Sequence, residues 1–298
     1  MKVYKELIVC KNTAVGLGFF DGVHMGHQAL ITELVRYSKS NNLTSVILTF
    51  KRSPAECFTK NVKYITTNME RNRLIADLGV DVLIELDFNE QLMNISHEDY
   101  LKEVLYKNLA PKAIFTGFNH TFGKGKKGTP MFLKSMEKEY GYKYFEISPI
   151  KNAENVVSST FIKSLLSQGK VLEANNLLSG NFKISGKVIE GNKIGRTIGF
   201  PTANIEYPQK MAEIPFGVYA SIVNVCGKAY KGVLNYGIKP SISESDRKPV
   251  AEVHILDFNQ DIYNETIDIL LVDKIRDEQK FESLEDLKQQ IKEDIKRC

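Results

Sequence analysis

Along the first half of the chain, apolar positions switch repeatedly between a strand-like and a helix-like arrangement. Thr13–Phe20, Ser45–Phe50, Asp81–Phe88, Ala113–Phe118 and Tyr142–Ile147 are short apolar runs of strand length. Between them, Gly26–Asn41 places Leu30, Ile31, Leu34 and Val35 on one helical face. Asn68–Leu78, Ser96–Leu109 and Met131–Tyr140 read as further helices, with Ser96 and Asp99 forming a capping box. Two shorter helical stretches follow, Ser159–Gln168 and Val171–Leu178, and Gly180 supplies a stop. Beyond it, strand-like runs dominate: Phe182–Ile189, Val218–Val225, Ala229–Asn235, Ala251–Phe258 and Thr266–Val272, punctuated by glycine and proline. The chain ends in an amphipathic helix capped by Ser283 and Asp286, with Leu284, Leu287, Ile291 and Ile295 on one face.

Strands alternating with helices predict parallel βαβ units, and short strands between turn signals predict antiparallel structure. The predicted fold class is α/β. A doubly wound parallel sheet spans residues 1–180, and a small antiparallel β-barrel with a terminal helix spans 181–298. A length of 298 residues suits two domains, and an apolar fraction of 43% argues against disorder. No apolar run approaches the ~18 residues of a membrane helix, and no signal-type start is visible, so a cytoplasmic protein is expected. Cys10, Cys57, Cys226 and Cys298 have no short spacing, which argues against a zinc site or disulfide framework. A net charge of +4 spread over the whole length is weak support for nucleic-acid binding, and a solvated mixed-charge surface accounts for it.

Gly18-Phe-Phe-Asp-Gly-Val-His-Met-Gly-His27 ends a predicted strand and opens a predicted helix. Open α/β sheets bind ligands at such junctions, and unpaired amides at a helix start make an anion site. Gly18, Gly22 and Gly26 let the backbone approach phosphate, while His24 and His27 reach one anion from adjacent positions. A phosphate beside an imidazole favours the charged ring, so the pair is expected to act as cationic donors.

This stretch, with Phe20 and Asp21 inside it, resembles the adenylyltransferase signature of the bacterial bifunctional riboflavin kinase/FAD synthetase family, within the wider HxGH nucleotidyltransferases. Gly117-Phe-Asn-His-Thr-Phe-Gly123 and the lysine-rich run after it resemble that family's flavin- and phosphate-contacting loop, which implicates Asn119 and Phe122 in flavin binding. Ser158-Ser-Thr-Phe-Ile-Lys163 resembles the segment that caps the triphosphate, implicating Ser158, Ser159, Thr160 and Lys163. In the β-rich half, the stretch Gly186–Asn204 contains Gly191 and Gly195 and ends Pro-Thr-Ala-Asn. It resembles riboflavin kinases, in which the residues matching Thr202 and Asn204 hold Mg²⁺ and nucleotide phosphates. By the same resemblance Glu252 occupies the place of the catalytic carboxylate, and Arg276 and Phe281 belong to a segment near the flavin. Read without the family, Glu252 is a surface residue on an alternating strand whose Val253 and Ile255 face inward.

The resemblance covers essentially the whole chain and implies ATP- and Mg²⁺-dependent conversion of riboflavin to FMN and of FMN to FAD. The implied partners are these small molecules, without a membrane or nucleic acid. Departures stand at Phe161 (usually arginine), Ser53 (a common histidine), Ile238-Lys239 and Tyr263-Asn264. They leave open that one activity alone survives, or that the scaffold is a non-catalytic flavin- or RNA-binding regulator.

Overall fold

The computed structural model describes residues 1–191, 194–238 and 249–298. By packing, the chain divides into two compact units, Met1–Phe161 and Ile162–Cys298.

The first unit is built on six strands: β1 (Lys2–Tyr4), β2 (Thr13–Leu17), β3 (Thr44–Phe50), β4 (Val82–Leu86), β5 (Pro111–Gly117) and β6 (Lys143–Ile147). All pair in parallel, in the order β1-β4-β3-β2-β5-β6. Alternate residues of the central strands supply two cores, one on each face. Ala14 and Ile47 join Leu30, Ile31 and Leu34 of the helix Met25–Ser40. Val15, Leu17, Val46 and Leu48 join Tyr100, Leu101 and Val104 on the other side. The sheet is therefore covered on both faces, as strands buried on both sides require. A two-strand hairpin, β7 (Lys151–Asn152) with β8 (Asn155–Val156), follows.

Some local details differ from the sequence expectation. Strand β1 is an unpredicted edge strand of three residues, too short to show a period. The predicted helix over 96–109 starts as expected, with the Asp99 amide donating to Ser96 Oγ at 2.9 Å, but winds as a π-helix through Tyr100–Tyr106. The predicted helix over 131–140 is two short ones, Pro130–Ser135 and Glu137–Tyr140, ended by Gly141 at φ 70°.

In the second unit, β9 (Lys183–Lys187), β10 (Ala203–Glu206), β11 (Gly217–Val225), β12 (Lys228–Ile238), β13 (Pro249–Ile255) and β14 (Thr266–Arg276) run antiparallel in the order β10-β13-β12-β11-β14-β9. A bridge in which the Ile189 amide donates to the Asn204 carbonyl at 2.8 Å links the two edges, so the barrel is nearly closed. Strand β10 lies outside the predicted strands because it is only four residues long and follows a proline turn. Residues 162–180, grouped with the first domain in the sequence reading, pack within this unit. Asn175 Nδ2 donates to the Leu271 carbonyl at 2.9 Å, and its Oδ1 accepts from the Phe182 amide at 2.8 Å.

The terminal helix Leu284–Lys296 begins at Ser283, whose hydroxyl accepts from the Asp286 amide at 3.1 Å. Ile295 packs against Val218, Ala220, Val233 and Ile275 of the barrel. Leu284, expected on the inner face, is 57% exposed, whereas Asp294 is buried. Among the described residues no helix is long and apolar enough to cross a membrane.

Candidate active sites

The strand order of the parallel sheet reverses between β2 and β5, and the segment Gly18–His27 leaves β2 at that switch point. Its turn is strained: Phe20 and Val23 have φ values of 61° and 40°, and a β-branched residue rarely sits there. Contacts from distant parts of the unit hold it. Asp21 Oδ1 accepts from the Ile65 amide at 2.8 Å and the Thr66 amide at 3.3 Å, and the Gly22 amide donates to Thr66 Oγ1 at 3.1 Å. Thr49 Oγ1 and Arg71 Nη1 each donate to the Phe19 carbonyl at 3.2 Å, and Ser159 Oγ donates to the Asp21 carbonyl at 3.0 Å. Arg71 is itself buried against Glu85, Nη2 to Oε1 at 2.7 Å. Lys5 and Asn72 also donate to Glu85.

This frame presents two stacked imidazoles. His24 caps the helix Met25–Ser40 and His27 lies in its first turn, with ring centroids 3.6 Å apart and planes 21° apart. Among the described residues neither Nδ1 has a hydrogen-bond partner, although both are buried. Burial lowers His24 to about 4, and burial together with the neighbouring His24 holds His27 well below the ordinary imidazole range. Without an anion beside them the rings are thus held toward the neutral form; the cationic form that the sequence leads one to expect is the one beside a phosphate. An anionic oxygen placed against them reverses that balance. The glycines have packing roles as well. A Cβ on Gly18 would lie 2.9 Å from the Phe20 ring, and one on Gly26 would lie 3.3 Å from the His24 ring.

A cavity of about 350 Å³ opens here. Gly18, Phe20, His24, Gly26 and His27 are among the residues that line it, with Asn119, Ser158, Ser159 and Thr160. Of the other residues singled out from sequence, Asp21 and Gly22 lie behind the wall as the tethers just described. Phe122 is packed in the core beside Tyr100, at 5.1 Å between centroids, and Lys163 is not on the wall. Phe161 is not on the wall either; its amide donates to Ser158 Oγ at 3.2 Å. Ser53 is a local cap, accepting from the Ala55 amide at 3.2 Å.

His120 is the residue that sequence reasoning passed over. It lines the same cavity, its buried Nε2 has no partner among the described residues, and burial lowers it to about 4. Its ring stacks 5.9 Å from Phe122. A histidine inside the loop after β5 was the available signal.

The barrel carries its own site. Strand pairing sets Asn204, Glu252 and Asn235 directly opposite one another across β10, β13 and β12. Val253 and Ile255 are buried in the barrel, as the alternation of β13 requires. The opposite face, which carries Glu252, looks toward the terminal helix, whose Leu287, Ile291 and Asp294 line the same cavity as Glu252. That cavity, of about 330 Å³, has a wall that includes Gly195, Thr202, Asn235, Glu252, Arg276 and Phe281. A second hollow of about 300 Å³, with Val188, Arg196, Phe258 and Tyr263 on its wall, also borders Thr202. Asn204 is buried, and a Cβ on Gly191 would lie 2.5 Å from its amide nitrogen. Arg276 is paired with Asp294, Nη2 to Oδ2 at 2.8 Å, and stands 5.7 Å from the Phe281 ring centroid. Ile238 is 40% exposed at the end of β12, and Lys239 lies outside the described residues.

Comparison with known proteins divides the chain into two parts as well. The family model described as FAD synthetase matches residues 8–161, and that described as riboflavin kinase matches 178–298. The chain is 38% identical to the bifunctional riboflavin kinase/FMN adenylyltransferase of Buchnera aphidicola subsp. Schizaphis graminum, over 95% of this chain and 92% of that protein. It is 34% identical to the Escherichia coli K12 protein of that name (93% and 89% covered) and 35% to that of Bacillus subtilis 168 (95% and 90%). A crystal structure from Streptococcus pneumoniae, titled as a macrolide-efflux protein, superposes with a TM-score of 0.89 at 32% identity, covering 98% of this chain and 95% of that one. With relatives this similar along almost their whole length, and both family models matched in order, the chain belongs to the bifunctional riboflavin kinase/FMN adenylyltransferase family.

Proposed function

We propose that the chain is an ATP-dependent transferase with two activities, phosphorylating riboflavin to FMN in the barrel and adenylylating FMN to FAD in the parallel-sheet unit. One observation carries the reading: each unit has its own cavity, and the motif residues meet on its wall. His24 and His27 meet on one, Thr202 and Glu252 on the other. The functional division follows at 1–180 and 181–298.

In the first reaction the ribityl 5′-hydroxyl oxygen bonds to the γ-phosphorus of ATP, the bond to the β-bridging oxygen breaks, and ADP leaves. A hydroxyl attacker must lose its proton, and Glu252 accepts it. In the second reaction an oxygen of the FMN phosphate bonds to the α-phosphorus and pyrophosphate leaves. That phosphate has a second pKa near ~6, so it is largely dianionic at neutral pH and needs no base. The task of the first unit is alignment and charge stabilisation. His24, His27 and the helix starts at Met25 and Ser159 donate to the phosphate oxygens, and Asn119 contacts the flavin.

Mg²⁺ fits the second site by the chemistry of its donors. The Thr202 hydroxyl and Asn204 amide oxygen are hard ligands, and the absent Cβ of Gly191 leaves the room that the amide occupies. Bound together with nucleotide phosphates, the ion would neutralise charge developing on the transferred group. The partners are these small molecules, and the cytoplasm is the expected compartment.

The test is a chromatographic assay of the full chain with riboflavin, ATP and Mg²⁺. Both FMN and FAD are expected. A single product would limit the chain to one activity, and flavin binding without turnover would make it a non-catalytic binder. Either result would sink the two-activity reading.

A further inference from the structure

On the wall of the barrel cavity stands a carboxylate that the proposed chemistry does not use. Asp294, on the terminal helix, is 1% exposed and lines the same cavity as Glu252. It accepts from Arg276 Nε at 3.0 and 3.1 Å, from Arg276 Nη2 at 2.8 Å and from Gln290 Nε2 at 2.9 Å. Arg276 Nη1 donates to the Asp277 carbonyl at 3.1 Å, so both ends of the guanidinium are fixed.

Helix docking alone does not explain this pair. Ile295 already anchors the helix on an apolar patch of the barrel, and a buried ion pair commonly stabilises less than apolar side chains of equal volume. Asp294 also sits in the last turn of its helix, where the partial negative charge of the unpaired carbonyls disfavours a carboxylate. What the arrangement does supply is geometry. A two-pronged carboxylate–guanidinium contact sets the plane of the guanidinium as well as its position, which an ammonium or an apolar contact cannot do. Arg276 and Phe281 both line the cavity, with the guanidinium carbon 5.7 Å from the ring centroid. Flat guanidinium and aromatic surfaces together suit a planar heteroaromatic ring.

We infer that Asp294 is a positioning residue of the kinase site, holding the Arg276 plane where the flavin ring of riboflavin packs against it. The inference rests on the proposed kinase reading. In the full-length protein, Asp294→Asn, Asp294→Glu, Arg276→Met and the Asp294→Asn/Arg276→Met double variant are compared. Steady-state riboflavin phosphorylation is measured together with riboflavin binding by quenching of flavin fluorescence, and FAD formation from supplied FMN reports the integrity of the first unit.

Asp294→Asn is expected to raise the riboflavin KM and Kd about tenfold, the scale of one lost charge-assisted contact. Its kcat and its KM for ATP should stay within about threefold of wild type. Asp294→Glu should recover part of the loss. The double variant should be no worse than the worse single one, because two residues acting through one contact do not add. An unchanged riboflavin KM in Asp294→Asn, or losses that multiply in the double variant, overturns the inference. So does a lowered melting temperature with unaltered KM. If Asp294→Asn does not fold, Arg276→Lys carries the test: it keeps the charge and loses the fork, and an unchanged riboflavin KM there overturns the inference. A wild-type protein that forms no FMN sinks the kinase reading separately. Riboflavin binding then decides the positioning role by itself: a tenfold weaker Kd in Asp294→Asn upholds it, and an equal Kd overturns it.

Discussion

Replacing Gly191 by alanine probes whether Asn204 works at the position in which the barrel holds it. The Cβ would stand 2.5 Å from Asn204 Nδ2 and 2.7 Å from Oδ1, where ordinary contact begins at 3.4 Å. The amide must therefore withdraw by about 0.9 Å, the difference between 3.4 and 2.5 Å. Its backbone cannot follow, since the Asn204 carbonyl accepts from Ile189 at 2.8 Å and β10 is paired with β13. The movement falls on the side-chain torsions, at a cost of about 0.5–1.5 kcal/mol. Gly191 does not have a left-handed backbone, so alanine adds no strain of that kind. A change of about 1 kcal/mol lowers the melting temperature by only a few degrees. Catalysis is far more sensitive, because misplacing a site group by about 1 Å can cost ~10²-fold in rate. Gly191→Ala is thus expected to fold, to lose about 10²-fold in kcat for riboflavin phosphorylation, and to form FAD from FMN at the wild-type rate. Chromatography of both products from one preparation reads all of this. Phosphorylation within threefold of wild type would refute the role given to Asn204, and joint loss of both activities would refute the independence of the two sites.

Other substitutions separate the sites from each side. His24→Ala should suppress FAD formation by at least ~10²-fold, as loss of a preorganised donor does, while FMN still forms; Glu252→Gln should do the reverse, and equal loss of both products in either variant would contradict the assignment. Arg71→Met leaves the buried Glu85 without its buried partner and removes one of the two side-chain donors to the Phe19 carbonyl, so it should destabilise the first unit by about 3–5 kcal/mol. Denaturant melts that superimpose on wild type would disprove this. Burial lowers His24 to about 4 and, together with the neighbouring His24, holds His27 well below the ordinary imidazole range, whereas both return to ordinary imidazoles on unfolding. The unfolded chain then binds more protons, so this contribution to stability is complete above about pH 6.5 and is lost as pH falls towards 4. Melting temperatures measured from pH 7 to 5 should fall, and fall less steeply in a His24→Asn/His27→Asn variant. An identical slope would show that these rings are not held neutral.

The alternation of strand and helix in the first half, and the change of texture after Gly180, were legible in the chain because burial along one element repeats with a local period. The helix carrying Leu30, Ile31 and Leu34 is buried on the face that spacing indicates. The histidine pair was legible too, because its two members lie three residues apart at a strand-to-helix turn. Edge strand β1 and strand β10 were not, being three and four residues long.

What the sequence by itself determined is the set of elements, the positions of the two motifs and the family they resemble. Tertiary structure decided which polar groups lose water and which keep it. It turned Phe122 into the core, left His120 on the cavity wall with a buried nitrogen, and brought Leu287, Ile291 and Asp294 of the terminal helix to the cavity that Glu252 lines. It also supplied the tethers of the strained turn from residues as distant as Arg71 and Ser159. The physical reason is desolvation. A period marks which side of an element is apolar, but the charge state and reach of a histidine or carboxylate depend on neighbours brought in from elsewhere in the chain.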